Sequence, residues 1–385
     1  MARSEYIRRL AELSGKPDSE ALARILELAM TDEEARFILE LPAPAAEVAA
    51  KLGLTEEEVE ARIKDLARRG LLVLSRKGYR YPRDLGTLHD NILSSAREYI
   101  PPGMERLWMD LYEGQRWWRE IGEGLSSYGV QVLRVIPAEK SLPAGFKFLP
   151  HESITAIIEA NRDLITVRHC CCRTGARKCH HPTDVCMQFK RRAEYDLFRE
   201  SGRKVSADEA VSVALKAVGS GLVPTVTNIS SMEALEFICF CCGDCCLVLD
   251  PLLRLGKVTE VVAPSRFEAR VDLEKCNGCR HCVPRCHFGA IEMKPIPGYE
   301  TMKAVIDPDR CLGCGACTAH CFPGVATADL MLLARSQYLD EVGRSQIHRL
   351  LFNYLLPYPN RLRLAARAAA LGKKTGASKV AKALG

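Results

Sequence analysis

Apolar residues recur at helical spacing along the N-terminal part of the chain. The stretches TDEEARFILEL, APAAEVAAKLGL and TEEEVEARIKDLARRG follow one another within residues 31–70. In the third stretch, Val59, Ile63 and Leu66 form the apolar stripe of an amphipathic helix. LLVLSRKGYRYPRD follows with the pattern of a hairpin. Three helices and a hairpin predict a winged-helix-like domain, which we place at residues 1–90.

The next part of the chain mixes helical and strand patterns, which predicts an α+β domain at residues 91–262. LPHESITAIIEAN and SADEAVSVALKAVGSG have helical spacing, and the second contains an S-x-x-E helix start at Ser206. LITVRHCCCR has the pattern of an apolar strand that runs into three cysteines. Because side chains alternate sides along a strand, we expect Cys170 and Cys172 to point together and Cys171 to point away.

Cysteine usage points to metal binding. The chain has 385 residues and 18 cysteines, all of them between Cys170 and Cys321. A chain of this length does not need disulfides to stabilise its cores. The N-terminal residues are charged and lack the apolar segment of a secretory signal, and no apolar run is long enough to predict a transmembrane helix. We therefore expect a cytoplasmic protein whose thiols bind metal.

Two loops share one cysteine spacing. CNGCRHCVPRCH, at residues 276–287, and CLGCGACTAHCFP, at residues 311–323, both have the pattern CxxCxxCxxxC. The repeat resembles the bacterial two-cluster ferredoxins, which implies a domain with two [4Fe–4S] clusters at residues 263–328. A zinc ribbon would not repeat the third cysteine of each loop. The resemblance implies two ligand sets: Cys276, Cys279, Cys282 and Cys321 for one cluster, and Cys311, Cys314, Cys317 and Cys286 for the other.

The flanks of these loops carry two further expectations. VVAPSRFEARVD and MKAVIDPD alternate as half-buried strands do, so we predict that a short strand enters each loop. Members of the ferredoxin family often have proline directly after the fourth cysteine. Here His287 follows Cys286, and Phe322 precedes Pro323. The departure leaves the expected number of clusters unchanged.

The ten upstream cysteines form two groups along the chain. One plausible ligand set contains Cys170, Cys172, Cys179 and Cys186. The other group contains Cys239, Cys241, Cys242, Cys245 and Cys246, which is one thiol more than a single cluster requires. Adjacent residues do not easily aim at one small target, so either Cys241 or Cys242 is expected to be unused. His180 and His181 can replace a thiol or only donate to cluster sulfurs, and the two groups can also share ligands across space.

The order of these motifs carries a second resemblance. CxCR begins at Cys170, CxHPxxxC runs from Cys179 to Cys186, and ICxCCGxCC precedes the two ferredoxin-like loops. The combination is similar to a family of [4Fe–4S] ferredoxin-domain proteins of anaerobes that begin with a winged-helix-like segment. The similarity extends over roughly residues 30–325, and it implies a redox protein with up to four [4Fe–4S] clusters.

We therefore expect an α+β multidomain electron-transfer protein that passes electrons from a redox donor to a reductase partner, as a subunit of an oxidoreductase complex. One-electron steps need no acid, base or nucleophile, and the chain has no GxGxxG fingerprint, P-loop, nucleophile elbow or HExxH helix. We predict no catalytic residues of its own. Two alternatives stay open: a redox-sensing winged-helix regulator that binds DNA, and a reductase whose cluster at residues 239–246 binds substrate.

Charge weighs against DNA binding. The start of the helix predicted to read DNA would repel phosphates, because it carries Glu56, Glu57, Glu58 and Glu60. The alternative stays open because cations lie in and near the predicted wing: Arg68, Arg69, Arg76, Lys77 and Arg80. The last 25 residues hold seven Lys or Arg and no acid, which gives them a charge of +7. Because the formal net charge of the chain is +6, the charge of the other 360 residues is −1. The predicted helical extension at residues 329–385 is therefore basic. It can contact an acidic partner or the inner face of a membrane, or remain a solvated end.

Overall fold

The computed structural model describes residues 4–141, 149–229, 231–318 and residue 321. These residues belong to one compact unit of mixed helix and sheet, as expected for an α+β protein. The basic extension predicted at residues 329–385 lies outside the described residues. Within the described ranges, no helix has the length and apolarity needed to cross a membrane.

The N-terminal region consists of five helices and a hairpin. The helices are α1 (Glu5–Leu13), α2 (Glu20–Ala29), α3 (Asp32–Leu39), α4 (Ala45–Leu52) and α5 (Glu56–Arg68), and the hairpin strands are β1 (Val73–Ser75) and β2 (Gly78–Arg80). Thr31 and Thr55 each begin a helix with a reciprocal capping box, which satisfies backbone N–H groups at the helix start. The predicted order of three helices and a hairpin is present in α3, α4, α5, β1 and β2. Its classification as a winged helix stays a prediction.

Three further helices complete the N-terminal core. They are α6 (Leu85–Leu93), α7 (Met104–Met109) and α8 (Trp117–Ser127). One apolar cluster extends from Ile7 to Trp117, and Cys171 and Leu247 of the cysteine-rich region pack against it. Trp117 is buried in this cluster.

A seven-stranded sheet forms the cysteine-rich region. Its strands are β3 (Leu133–Val135), β4 (Ile165–His169), β5 (Asp184–Phe189), β6 (Arg203–Val205), β7 (Val223–Thr227), β8 (Phe237–Cys241) and β9 (Val262–Ala263). Their order is β6-β4-β5-β8-β7-β3-β9. All neighbours are antiparallel except β3 and β9. The three strands that carry or lead into cysteines, β4, β5 and β8, are therefore adjacent.

Helices connect and flank these strands. They are α9 (Ile154–Ala160), α10 (Cys171–Ala176), α11 (Lys190–Phe198), α12 (Ala207–Gly219), α13 (Leu249–Leu255) and α14 (Val258–Val261). The helix start predicted at Ser206 is present, and the Ser206 hydroxyl accepts a hydrogen bond from the backbone N–H of Glu209 at 3.2 Å. Helix α10 corrects the strand expected to continue through three cysteines, because the chain turns helical at Cys171.

The last described segment contains the two CxxCxxCxxxC loops and a hairpin of β10 (Ile291–Lys294) and β11 (Lys303–Ile306). Strand β11 is the one predicted before the second loop. The strand predicted across VVAPSRFEARVD is wrong beyond Ala263, because the backbone there follows the second loop instead of a neighbouring strand. Ser265 donates its backbone N–H to Leu312 O at 3.0 Å and its hydroxyl to Gly313 O at 2.8 Å.

Candidate metal centres

Six upstream thiols converge where β4, β5 and β8 meet. Cys170 follows β4, Cys186 lies in β5, and Met187 of β5 pairs with Ile238 of β8, so Cys186 and Cys239 are the next residues along their strands. Side-chain contacts link the thiols in a closed circuit: Cys170 to Cys186, Cys186 to Cys239, Cys239 to Cys241, Cys241 to Cys246, Cys246 to Cys172, and Cys172 to Cys170. We call this set the six-thiol ring. It lines a cavity of about 250 Å³.

Cys171 lies outside the six-thiol ring, although not for the reason predicted. Alternation along a strand does not apply, because Cys171 and Cys172 occupy the first turn of α10. The Cys171 Sγ lies 3.8 Å from the Cys172 Sγ, and its thiol also hydrogen-bonds to the Asp90 carboxylate. Cys171 therefore packs against the N-terminal core at the edge of the ring cavity and takes no part in the closed circuit of thiols.

A second, smaller group contains Cys179, Cys242, Cys245 and Asp244, which we call the Cys179 group. Their donor atoms all lie within 4.8 Å of one another. Chain order predicted one ligand set that includes Cys179 and another formed by the five cysteines at residues 239–246. The structure instead brings Cys179 next to Cys242 and Cys245. Sharing between the groups was one of the alternatives open in the sequence.

Neither Cys241 nor Cys242 is left without neighbouring thiols. Cys241 is the last residue of β8 and contacts Cys239 and Cys246 in the six-thiol ring. Cys242 lies just beyond the strand and approaches Cys179, with 4.0 Å between their sulfurs. The two adjacent side chains point in different directions, as expected from the sequence. Neither is unused, however, because Cys241 belongs to the six-thiol ring and Cys242 belongs to the Cys179 group.

The two histidines of the CxHPxxxC motif do not join either group of donors. His180 is exposed. His181 packs edge-on against His287, with 5.7 Å between the ring centroids, and its backbone N–H is directed to the Cys179 thiol. The described geometry therefore favours the interpretation in which these residues only support the thiols.

A buried arginine supplies positive charge between the two groups. Arg173 is 4% exposed, and its Nη1 donates to Phe240 O at 2.7 Å and lies 4.0 Å from the Cys242 Sγ. Its Nε and Nη2 are buried without a hydrogen-bond partner. Buried N–H groups normally have acceptors, and unpaired ones beside thiols suit a site that holds anionic sulfur. A [4Fe–4S] cluster with its thiolates is such a group, so the residues present fit it.

The ferredoxin-like loops line two smaller cavities. One is lined by Cys276, Cys279, Cys282, Cys317 and Cys321, together with apolar residues that include Ile291 and Met293. The other is lined by Cys286, Cys311, Cys314 and Cys317. The fourth cysteine of each loop thus lies at the cavity of the other loop. The division of these eight cysteines into two ligand sets stays a prediction, and the described geometry is compatible with it.

Electrostatics and backbone donors around these loops also fit an iron–sulfur group. Burial raises the pKa of the Cys317 thiol to about 12 and raises the pKa of Cys314 as well. Thiolates at these positions therefore need a compensating cation, which iron supplies. A backbone N–H group reaches a loop sulfur, since Ala290 N donates to the Cys286 Sγ at 3.2 Å. The six-thiol ring has a similar donor, Leu247 N, at 3.4 Å from the Cys172 Sγ.

His287 joins the second ferredoxin-like cavity to the Cys179 group. Its Nδ1 accepts from the backbone N–H of Gly243 at 3.1 Å, and its Nε2 donates to Gly221 O at 2.9 Å. Gly243 lies between Cys242 and Asp244, whereas His287 follows Cys286. Proline, which many ferredoxins have at this point, has no side-chain acceptor for such a bond. This connection was not predicted, although the departure from proline was visible in the sequence.

Comparison with known families matches residues 275–325 to the 4Fe-4S dicluster domain. This is an iron–sulfur protein. The match covers all eight cysteines of the two loops and establishes [4Fe–4S] clusters as its cofactors. Residues 343–385, which lie outside the described residues, match the linker region of the glycolate oxidase iron-sulfur subunit. Neither a curated protein nor a solved structure matches the chain. The winged-helix start and the link to anaerobes stay predictions.

Proposed function

We propose that this iron–sulfur protein is an electron-transfer subunit of an oxidoreductase, with two clusters in the ferredoxin-like loops and a third in the six-thiol ring. A [4Fe–4S] cluster supplies one-electron chemistry when it is bound. The dicluster match supports the first two positions. The linker match is to a protein named as an iron–sulfur subunit, which supports the role within a larger complex.

This proposal rests on one apolar cluster that packs the ferredoxin-like loops against the seven-stranded sheet. Cys286 and Cys314 pack against the same apolar cluster that contains Cys246 and contacts Cys241. Val223, Leu249 and Phe288 belong to that cluster and are buried. Such packing excludes water between the second ferredoxin-like cavity and the six-thiol ring, and it holds both at a constant separation. Both conditions favour electron transfer between fixed positions.

The first loop forms the exposed end of this arrangement. Cys279 is exposed, as are the neighbouring side chains of Arg280 and His281. A redox partner can therefore approach the first loop without opening the fold. The ring is less exposed: three of its thiols are buried and three are partly buried, and the side chain of Arg168, which lines the same cavity, is 8% exposed. We propose the first loop as the docking site for a donor or acceptor protein.

A reductase role is the second candidate, and the size of the ring cavity favours it. This cavity measures about 250 Å³, whereas the two ferredoxin-like cavities measure about 40 Å³ and 20 Å³. The ring also offers six thiols where a cluster with four iron atoms needs four. Arg173 lines the same cavity, and its Nε and Nη2, which have no hydrogen-bond partner, could hold an anionic substrate. A spectral change of the ring cluster on addition of cyanide or a small thiol would support this candidate over pure electron transfer.

The described contacts do not favour the DNA-binding alternative. Arg68 pairs with Glu200, and Arg69 pairs with Glu34 and Asp65, so these two cations near the predicted wing are already engaged with carboxylates. The start of α5 is acidic. Phosphate contacts provide most of the affinity in DNA complexes. Arg76 and Lys77 in the hairpin are exposed, but the acidic start of α5 opposes a phosphate backbone.

Metal analysis and redox titration of the anaerobically purified protein test the proposal. Three clusters predict about 12 iron and about 12 sulfide per chain, with three one-electron reduction steps. A value of about eight iron with two steps would show that the six-thiol ring holds no cluster and would contradict the third position. A ring cluster that is not reduced by the same donor that reduces the loop clusters would contradict the proposed electron transfer.

A further inference from the structure

The Cys179 group differs from the other thiols because all four of its donor atoms lie close to one another. The sulfurs of Cys179 and Cys242 are 4.0 Å apart, and the donors of Cys245 and Asp244 lie within 4.8 Å of both. In the part of the chain that the structure describes, no other set of three or more cysteine, histidine or carboxylate donors is this compact. The ferredoxin-like loops, which match a [4Fe–4S] family, space their thiols more widely.

This spacing suits one metal ion. Zinc binds thiolate sulfur at about 2.3 Å, and a tetrahedron with that radius places its sulfurs about 3.8 Å apart. A [4Fe–4S] cluster instead binds each thiolate through a different iron atom, so its ligand sulfurs must stand further apart than those around a single ion. The observed separation of 4.0 Å is close to the single-ion value.

The donor types and their surroundings support the same conclusion. Three thiolates and one carboxylate form a complete set of four ligands for zinc, and sulfur-rich sets favour zinc over magnesium or calcium. Asp244 accepts hydrogen bonds from the thiols of Cys242 and Cys245, so its carboxylate already points into the group. Arg173, near the Cys242 Sγ, offsets the negative charge that three thiolates and a carboxylate leave on a divalent ion.

We propose that Cys179, Cys242, Cys245 and Asp244 bind a single tetrahedral zinc ion that is separate from the iron–sulfur clusters. The ion connects the loop after α10 to the loop after β8. In the loop after β8, the backbone N–H of Gly243 donates a hydrogen bond to His287, the residue after Cys286. A zinc ion here therefore holds the loop after β8, which also carries Cys246 of the six-thiol ring, against the end of the first ferredoxin-like loop. The inference does not depend on the proposed function, because the same geometry would hold in a reductase.

Metal content of the full-length protein, purified without oxygen, gives the first test. We expect about one zinc per chain in addition to the iron. Cys179→Ser and Asp244→Asn should each lower zinc to below about one tenth per chain while leaving the iron and sulfide content unchanged. Two matched controls, Cys171→Ser and Asp110→Asn, remove a thiol and a carboxylate outside the Cys179 group, and both should retain the zinc.

X-ray absorption at the zinc edge gives the second test and does not depend on any variant folding. It should show about three sulfur neighbours at about 2.3 Å and one oxygen at about 2.0–2.2 Å. Protein without zinc whose Cys179→Ser variant loses about four iron atoms per chain would overturn the proposal, because these thiols would then bind a cluster. Low iron with a full zinc content would instead contradict the proposed function and leave the zinc site standing.

Discussion

The ferredoxin-like loops and the six-thiol ring assemble thiols in opposite ways. Each loop draws three cysteines from seven consecutive residues, such as Cys276 to Cys282, and only the fourth comes from elsewhere. The ring draws its six from two strands, the start of a helix and a loop, which together span residues 170–246. Local spacing therefore builds the loops, whereas strand pairing builds the ring. The loops should depend on backbone turns, and the ring should depend on the surrounding fold.

The largest expected effect comes from adding a side chain at a tight turn of the second loop, where there is no room for it. Gly313 has φ +66°, and a Cβ there would lie 1.9 Å from Phe267 O. Gly313→Ala should abolish the second loop cluster, with a loss of about four iron atoms per chain, while the ring cluster remains. Metal analysis and electron paramagnetic resonance would measure both.

Gly298→Ala is the matched control for this substitution. Gly298 also has a left-handed φ of +89°, but nothing lies within 4 Å of the Cβ position. This variant should keep all its iron and lose only about 1 kcal/mol of stability. Equal iron loss in the two variants would show that strain at a left-handed residue, rather than the clash at the loop, is responsible.

The second prediction removes ring thiols. Cys186→Ser and Cys239→Ser should each eliminate or strongly perturb the ring cluster, a change of up to about four iron atoms, and leave both loop clusters intact. Cys171→Ser should keep the full iron content, since Cys171 lies outside the ring. Loss of iron from the loops in the Cys186 variant would show that the two regions do not assemble independently.

The third prediction uses pH to separate the regions. Burial lowers the pKa of His89 to about 4, against a weaker opposing effect of Asp90. An unfolded histidine has a pKa of about 6.5, so the unfolded chain binds more protons between these values and stability falls as pH decreases from about 6.5 toward 4. The loss attributable to His89 is up to roughly 3 kcal/mol. Above about pH 6.5 this contribution is complete.

His89 lies beside Gly175 of α10 and packs on Trp108, with 5.0 Å between ring centroids, so its protonation should weaken the support of the ring first. Anaerobic denaturant unfolding from pH 7 to pH 5 would measure the change. His89→Phe should flatten this pH dependence, whereas His151→Gln, at an exposed position, should not alter it. An unchanged slope in the His89 variant would assign the acid sensitivity to other groups.

The smallest predicted effect concerns the connection between the two regions. His287→Ala leaves the Gly243 N–H and the Gly221 carbonyl without their partner and should cost about 1–3 kcal/mol in unfolding free energy. Slower reduction of the ring cluster relative to the loop clusters should accompany it. His281→Ala, an exposed change in the first loop, is the control and should leave both measurements unchanged. Identical behaviour of the two variants would argue against His287 as a link.

Much of the local structure was predictable from the sequence. Helical spacing at Val59, Ile63 and Leu66 corresponds to α5, and the strand predicted before the second loop is β11. The strand predicted beyond Ala263 failed because alternation alone cannot tell whether a neighbouring strand is available to accept its hydrogen bonds. Here the second loop takes them instead, through Ser265.

What the sequence determined by itself is the chemistry: cysteines at CxxCxxC spacing, which a tight turn brings together whatever the rest of the chain does, and hence the iron–sulfur identity. Only the tertiary structure decided how the ten upstream thiols divide. Cys241 and Cys242 are neighbours in sequence, yet one faces the six-thiol ring and the other faces Cys179, more than 60 residues earlier in the chain. Strand order and the helix start at Cys171 set these directions, and both depend on pairing between distant segments that no local spacing encodes.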